Sequence, residues 1–200
     1  GYEMLITGAV AGQKLVLDVE NGKTLFLSVT EPGTSEYRIF QAGTATDKRS
    51  YWDITLNNME LQGGNVDGNG GAFFVKGANI TVALNNVDIN STISTGNGAA
   101  LFLDSNNQAK LTMNNVSFTD NASDQNGAAI YVYSKYNTTI TGENVEIASN
   151  SAGLSGAGMY VQAGSNATIS LKNASFQSNE ATETGGAIYL NSNGTTNVSV

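Results

Sequence analysis

The chain has 200 residues, enough for one domain with a sizeable core or for one elongated repeat array. A net charge of −8 with only 9 Lys and Arg excludes a nucleic-acid backbone partner and docking on an anionic lipid surface, because both need clustered cations. Cysteine is absent, so there is no disulfide or thiolate chemistry, and no apolar run is long enough to insert in a membrane.

Long helices are not expected, because no window holds a 3.6-residue apolar period and Gly, Asn, Ser and Thr are abundant. Residues 1–50 show short apolar alternations instead. In "LDVENGKTLFL" the pair Asn21-Gly22 separates two of them, which is a hairpin signal, although Leu25 and Leu27 also fall one repeat before Ile54 and Leu56. This segment is expected to form an N-terminal cap on the repeats that start at residue 51, since terminal repeats are usually atypical.

From residue 51 a period governs the chain. Glycines recur at Gly70, Gly98, Gly127, Gly156 and Gly185, at intervals of 28, 29, 29 and 29. Each comes 9 residues after an apolar anchor: Leu61, Ile89, Phe118, Ile147 and Phe176. The missing residue falls between Gly70 and Val82, after a third strand, where a loop tolerates deletion. Each unit holds three short strands, "TISL", "ASF" and "AIYL" in the last complete copy. Three strands per 28–29-residue unit and no helix predict an all-β fold, a parallel β-helix (solenoid) with repeats over 51–200. Five full turns would be succeeded by the start of a sixth at Val198 and Val200. Further repeats are expected beyond Val200, and an open stack end would permit self-association through the solenoid end.

Alternation assigns the faces. Ile54, Val82, Leu111, Ile140 and Ile169 point inward, as do Met59, Val87, Val116, Val145 and Ala174. So do Phe73, Leu101, Ile130, Met159 and Ile188 in the third strand. The first corner is Asn in every copy: Asn58, Asn86, Asn115, Asn144 and Asn173. Asn tolerates left-handed backbone, and its amide can bond the amides one turn above and below. The glycine column calls for a positive φ at the start of the third strand. The small column beside it, Gly71, Ala99, Ala128, Ala157 and Gly186, is assigned to a narrowing cross-section.

Phe176-x-x-Asn179 with Gly185, Gly186, Ala187 and Ile188 after it resembles the repeat pair Phe-x-x-Asn and Gly-Gly-Ala-(Ile/Leu/Val) of the chlamydial polymorphic membrane proteins. Phe118, Asn121 and residues 127–130 form a looser copy; Ile147, Asn150 and residues 156–159 are looser still. Leu61 with Gly64 and Ile89 with Thr92 lack both Phe and Asn. The resemblance covers about 51–200. It implies a right-handed parallel β-helix, the passenger of a bacterial autotransporter (type V secretion), displayed on the outer membrane's extracellular face or secreted. Such passengers are commonly adhesins, so a host-cell surface protein or glycan is the implied partner.

An enzyme needs clustered carboxylates with Arg, Lys or His nearby, and the chain has no His. Its strand acids form one broken column, Glu60, Asp88 and Glu146, interrupted by Ser117 and Ser175, which reads as a solvated face. "GGNVDGNGG" (63–71) resembles a calcium-binding glycine-rich nonapeptide, but it occurs once and reads as a turn. No catalytic residue, metal ligand or cofactor is assigned. One outward column carries five aromatics, Phe74, Phe102, Tyr131, Tyr160 and Tyr189. They are expected to stack from turn to turn, or to receive a partner as an exposed stripe. The functional expectation is a non-enzymatic surface adhesin. The alternatives are a carbohydrate-active β-helix whose catalytic residues lie outside this segment, and a structural stalk.

Overall fold

A computed structural model describes residues 4–6, 14–18, 23–28 and 37–200. They form a β-solenoid of about six turns, with about 29 residues per turn and parallel strands throughout. The chain stays extended through the first corner of each turn, so single strands cover more than one face: Tyr51–Gln62, Phe73–Asn90 and Leu101–Thr119. Later turns divide into Ile130–Ser134 with Thr138–Ala148, and Met159–Ala163 with Ala167–Gln177.

Three ladders enclose the core. The first stacks Ile54, Val82, Leu111, Ile140, Ile169 and Val198 in register. The second stacks Met59, Val87, Val116, Val145 and Ala174. The third stacks Phe73, Leu101, Ile130, Met159 and Ile188. From Ile54 to Ile169 in the first ladder, and up to Val145 and Met159 in the others, these side chains are 3 % exposed or less. Each such burial contributes about 2 kcal/mol, and like residues meet like because the period puts one volume at one height of every turn. Gly142 breaks its column of Leu and Met: a Cβ there would lie 2.8 Å from Val145 Cγ2 and 2.9 Å from Leu171 Cδ2, which already fill the space.

The missing residue lies at Ala78. Gly77 pairs with Ser105 but Asn79 pairs with Gln108, so one residue spans where the next turn uses two. Trp52 closes the shortened corner, its indole N–H donating to the Lys76 carbonyl at 2.8 Å.

Before residue 50 the described strands add a further turn. Leu15–Leu17 pairs in parallel with Ile54, Thr55 and Leu56, and Leu25–Ser28 with residues 59–62. Phe40–Ala42 lies under residues 73–75, with Met4–Ile6 beneath it. Leu25 and Leu27 therefore sit under Met59 and Leu61 rather than Ile54 and Leu56, which take Leu15 and Leu17. The connections of this turn are longer than those of later turns, so a fixed 29-residue step misplaces them. The strands flanking Asn21-Gly22 run along the same neighbouring strand instead of pairing as a hairpin. Asn21-Gly22 itself lies outside the described residues.

A fourth ladder runs beside these three, and the sequence pattern gives no sign of it. Asn65–Val66, Ile93–Ser94, Ala122–Ser123, Ser151–Ala152 and Glu180–Ala181 form a five-stranded parallel sheet within the connections between anchor and glycine. This ladder, not a tapering core, explains the small column beside the glycines. Ala128 and Ala157 pack with Ala152 and Ala181 in a separate cluster, and a Cβ on Gly186 would lie 2.6 Å from the Asn179 carbonyl.

Candidate binding face

The corner asparagines behave as their identity implies. Asn58, Asn86, Asn115, Asn144 and Asn173 all have positive φ, between 51° and 57°. Each Nδ2 donates to the Oδ1 one turn earlier: Asn86 to Asn58 at 2.9 Å, Asn115 to Asn86 at 3.1 Å, Asn144 to Asn115 at 2.9 Å and Asn173 to Asn144 at 3.2 Å. Asn58 in turn donates to Asp18 Oδ1 at 3.2 Å.

The asparagine of Phe-x-x-Asn does different work. Asn121 and Asn150 are 1 % exposed. Asn150 Oδ1 accepts from the backbone N–H of Asn121 at 3.1 Å and from its Nδ2 at 2.9 Å. Its own Nδ2 donates to Asn179 Oδ1 at 2.8 Å and to the carbonyls of Phe118 and Ala148, both at 3.0 Å. Thr92 joins this ladder through its hydroxyl, 2.7 Å from Asn121 Oδ1. The left-handed residue of this corner is the one before: Ser91, Asp120, Ser149 and Ser178, with φ of 55°, 56°, 57° and 50°. Phe118 is fully buried, while Phe176 is half-buried against the same core. The motif therefore builds the turn, and Asn179 braces a bend that Ser178 makes.

The glycine column and the aromatic column meet. Gly70, Gly98, Gly127, Gly156 and Gly185 have φ between 64° and 72°. A Cβ on Gly156 would lie 2.9 Å from Tyr160 Cβ, and one on Gly70 would lie 2.9 Å from Phe74 Cβ. Glycine is thus required twice, by the positive φ and by the close approach of the third strand, whose Met159 carbonyl would lie 2.6 Å from a Cβ on Gly156.

The five aromatics stack outside the core. Ring centroids are separated by 5.1 Å for Phe74 and Phe102, 5.1 Å for Phe102 and Tyr131, 5.2 Å for Tyr131 and Tyr160, and 4.7 Å for Tyr160 and Tyr189. Interplanar angles of 4° to 12° leave the ring faces against one another. The Arg38 guanidinium lies over Phe74 at 5.0 Å. Outward placement holds, but an exposed stripe does not: Phe74 and Phe102 are 4 % exposed, and the tyrosines are half-buried. Alternation fixes which way a side chain points, not how deeply its surroundings cover it. Burial first, then the neighbouring Tyr160, Asp104 and Tyr133, push the Tyr131 phenol above its ordinary value. Burial and then Tyr189 do the same to Tyr160.

Two of the three acids of the second face, Asp88 and Glu60, are engaged by a neighbouring turn. Ser117 Oγ donates to Asp88 at 2.5 Å, and Asn90 Nδ2 donates to Glu60 at 3.2 Å. In the glycine-rich stretch, Asp67 accepts from the Thr95 hydroxyl at 2.6 Å. Lys76 and Asp104 form an ion pair on the third face.

A family model for the Chlamydia polymorphic membrane protein (Chlamydia_PMP) repeat matches residues 115–133 and 173–191. The two segments lie two turns apart, and each runs from the corner Asn through the Asn of Phe-x-x-Asn and the glycine into the stacked tyrosine. The solenoid thus carries repeats of this type at two positions. No curated protein and no solved structure matches the chain.

Proposed function

We propose that this chain is part of the surface-displayed passenger of an autotransporter-like protein and acts there as a non-enzymatic adhesin module. The repeat match at 115–133 and 173–191 carries the reading, because proteins built from this repeat are surface-exposed outer-membrane proteins. The fold adds support: a stack of turns, each held by its neighbours, displays side chains at fixed spacing on long outer faces. The strand acids support a non-enzymatic role, since Asp88 and Glu60 are each bonded by a neighbouring turn rather than opposed across a cleft. The host-cell partner is a protein or glycan.

A stalk is the second reading, favoured by the burial of the motif residues and the mutual stacking of the rings. Adhesion separates the two. Beads coated with the purified chain should bind cultured host cells saturably, and soluble chain should compete. Binding no better than that of beads carrying an unrelated acidic β-solenoid would leave the stalk as the better account.

A further inference from the structure

The third face changes chemistry part-way along the stack. In the turns holding Phe74 and Phe102 the rings are buried, and the next outward column carries the Lys76–Asp104 ion pair. In the three turns above them the same two columns read Tyr131 and Tyr133, Tyr160 and Gln162, Tyr189 and Asn191. Asn191 is exposed and the other five are half-buried. No hydrogen bond ties any of these six side chains to a described residue. Elsewhere the outward amides are spent in ladders, such as Asn114 to Asn85 at 2.9 Å. Stacking does not account for the phenols, because Phe74 and Phe102 stack at 5.1 Å without them, as closely as Tyr131 and Tyr160 at 5.2 Å.

We propose that Tyr131, Tyr133, Tyr160, Gln162, Tyr189 and Asn191 form a binding strip for an extended, neutral, β-linked glycan lying along the solenoid axis. This rests on the adhesin reading and names its ligand class. The strip repeats its hydroxyls and amides at the strand spacing, about 4.8 Å. An extended peptide advances about 3.3 Å per residue and falls out of step by the second turn. Successive rings of an extended β-1,4-linked pyranose chain advance by about one strand spacing with alternate rings turned over, so the same sugar hydroxyl returns to the strip every second turn. Because the ring faces are occupied, recognition runs through phenol hydroxyls and through amides that both donate and accept to vicinal diols. None of the six carries a charge at neutral pH, in a chain of net charge −8 that repels anionic polymers.

The test is calorimetric titration of the chain with neutral β-linked oligosaccharides (cello-, chito-, xylo- and β-1,3-gluco-) and with heparin fragments. At least one neutral series should bind and heparin should not. The double variant Y160F/Y189F, which copies the phenylalanines of earlier turns, should bind about tenfold more weakly with an unchanged unfolding midpoint. The variant Q162A should also weaken binding. No binding across the neutral panel, binding untouched by Y160F/Y189F, or a preference for heparin would each overturn the strip. Cell adhesion by the native chain that survives in Y160F/Y189F would sink the strip alone; absence of adhesion by the native chain would sink the adhesin reading itself.

Discussion

One asparagine ladder runs from Asn58 to Asn173 and a second spans only Asn121, Asn150 and Asn179, and the longer, invariant one should be the less costly to break. The corner ladder from Asn58 to Asn173 is exposed, with one amide bond per turn and a left-handed backbone that Asn tolerates. The ladder of Asn121, Asn150 and Asn179 is interior at Asn121 and Asn150, and each of those amides serves several backbone groups. Its column nevertheless reads Gly64, Thr92, Asn121, Asn150 and Asn179. Invariance at the exposed corner goes with a left-handed backbone combined with an amide that bonds the same amide one turn away. Energetic weight tracks desolvation, which a Thr hydroxyl or a bare Gly can partly avoid.

The largest effect should come from the interior ladder. Asn150→Leu strips the acceptor from two Asn121 donors and the donor from the Phe118 and Ala148 carbonyls. A loss of about 3 kcal/mol is expected, read from the urea unfolding midpoint. Asn150→Thr, with Thr92 as its precedent, should lose less. Asn115→Ala, in the corner ladder, places a Cβ-bearing residue without a compensating amide at φ 51° and should cost about 1–2 kcal/mol. Asn115→Gly keeps the backbone tolerance and should cost about 0.5–1 kcal/mol. If Asn115→Ala proved as damaging as Asn150→Leu, the contrast between the ladders would collapse.

The smallest effect belongs to the aromatic column, which lies between the two in burial. At neutral pH Tyr131→Phe should change stability by less than about 0.5 kcal/mol, since Phe already stacks in this column. Alkali should expose the difference. The folded-state pKa of Tyr131 is raised, so the folded chain resists its ionisation more than the unfolded chain does. That contribution is complete below the unfolded value of about 10 and is lost as pH rises toward the folded value. The native chain should therefore lose stability above about pH 10, and Tyr131→Phe should lose less. Parallel unfolding curves for the two proteins in alkali would remove burial as the cause.

Much of the architecture is legible in the sequence because one residue type recurs at one height. Asn58 to Asn173 and Gly70 to Gly185 announce their positive φ by identity, and the alternation around Phe73 and Val75 separates core from surface. What escapes reading is carried by unlike residues. Gly63, Ser91, Asp120, Ser149 and Ser178 share a left-handed bend that no common chemistry advertises. The fourth ladder uses two-residue strands, too short for alternation to show. The turn before residue 50 is hidden by its longer connections. In the candidate strip, the aromatic column is plain from its spacing, yet the burial of Phe74 and Phe102 depends on neighbours distant in sequence, such as Arg38. The open valences of Gln162 and Asn191 emerge only against the ladders that consume other amides.

Asp18 gives the corner ladder an origin. A carboxylate can only accept, so Asn58 must turn its NH2 toward Asp18 and present its oxygen to the next turn. Asn86 then has to donate downward in the same sense, and so on to Asn173. The amide, which could lie either way round at each corner taken alone, is committed five times over by one acid at the foot of the stack. Aligned dipoles of this kind reinforce one another, so the row has a heading, like a compass needle whose bearing is set at one end.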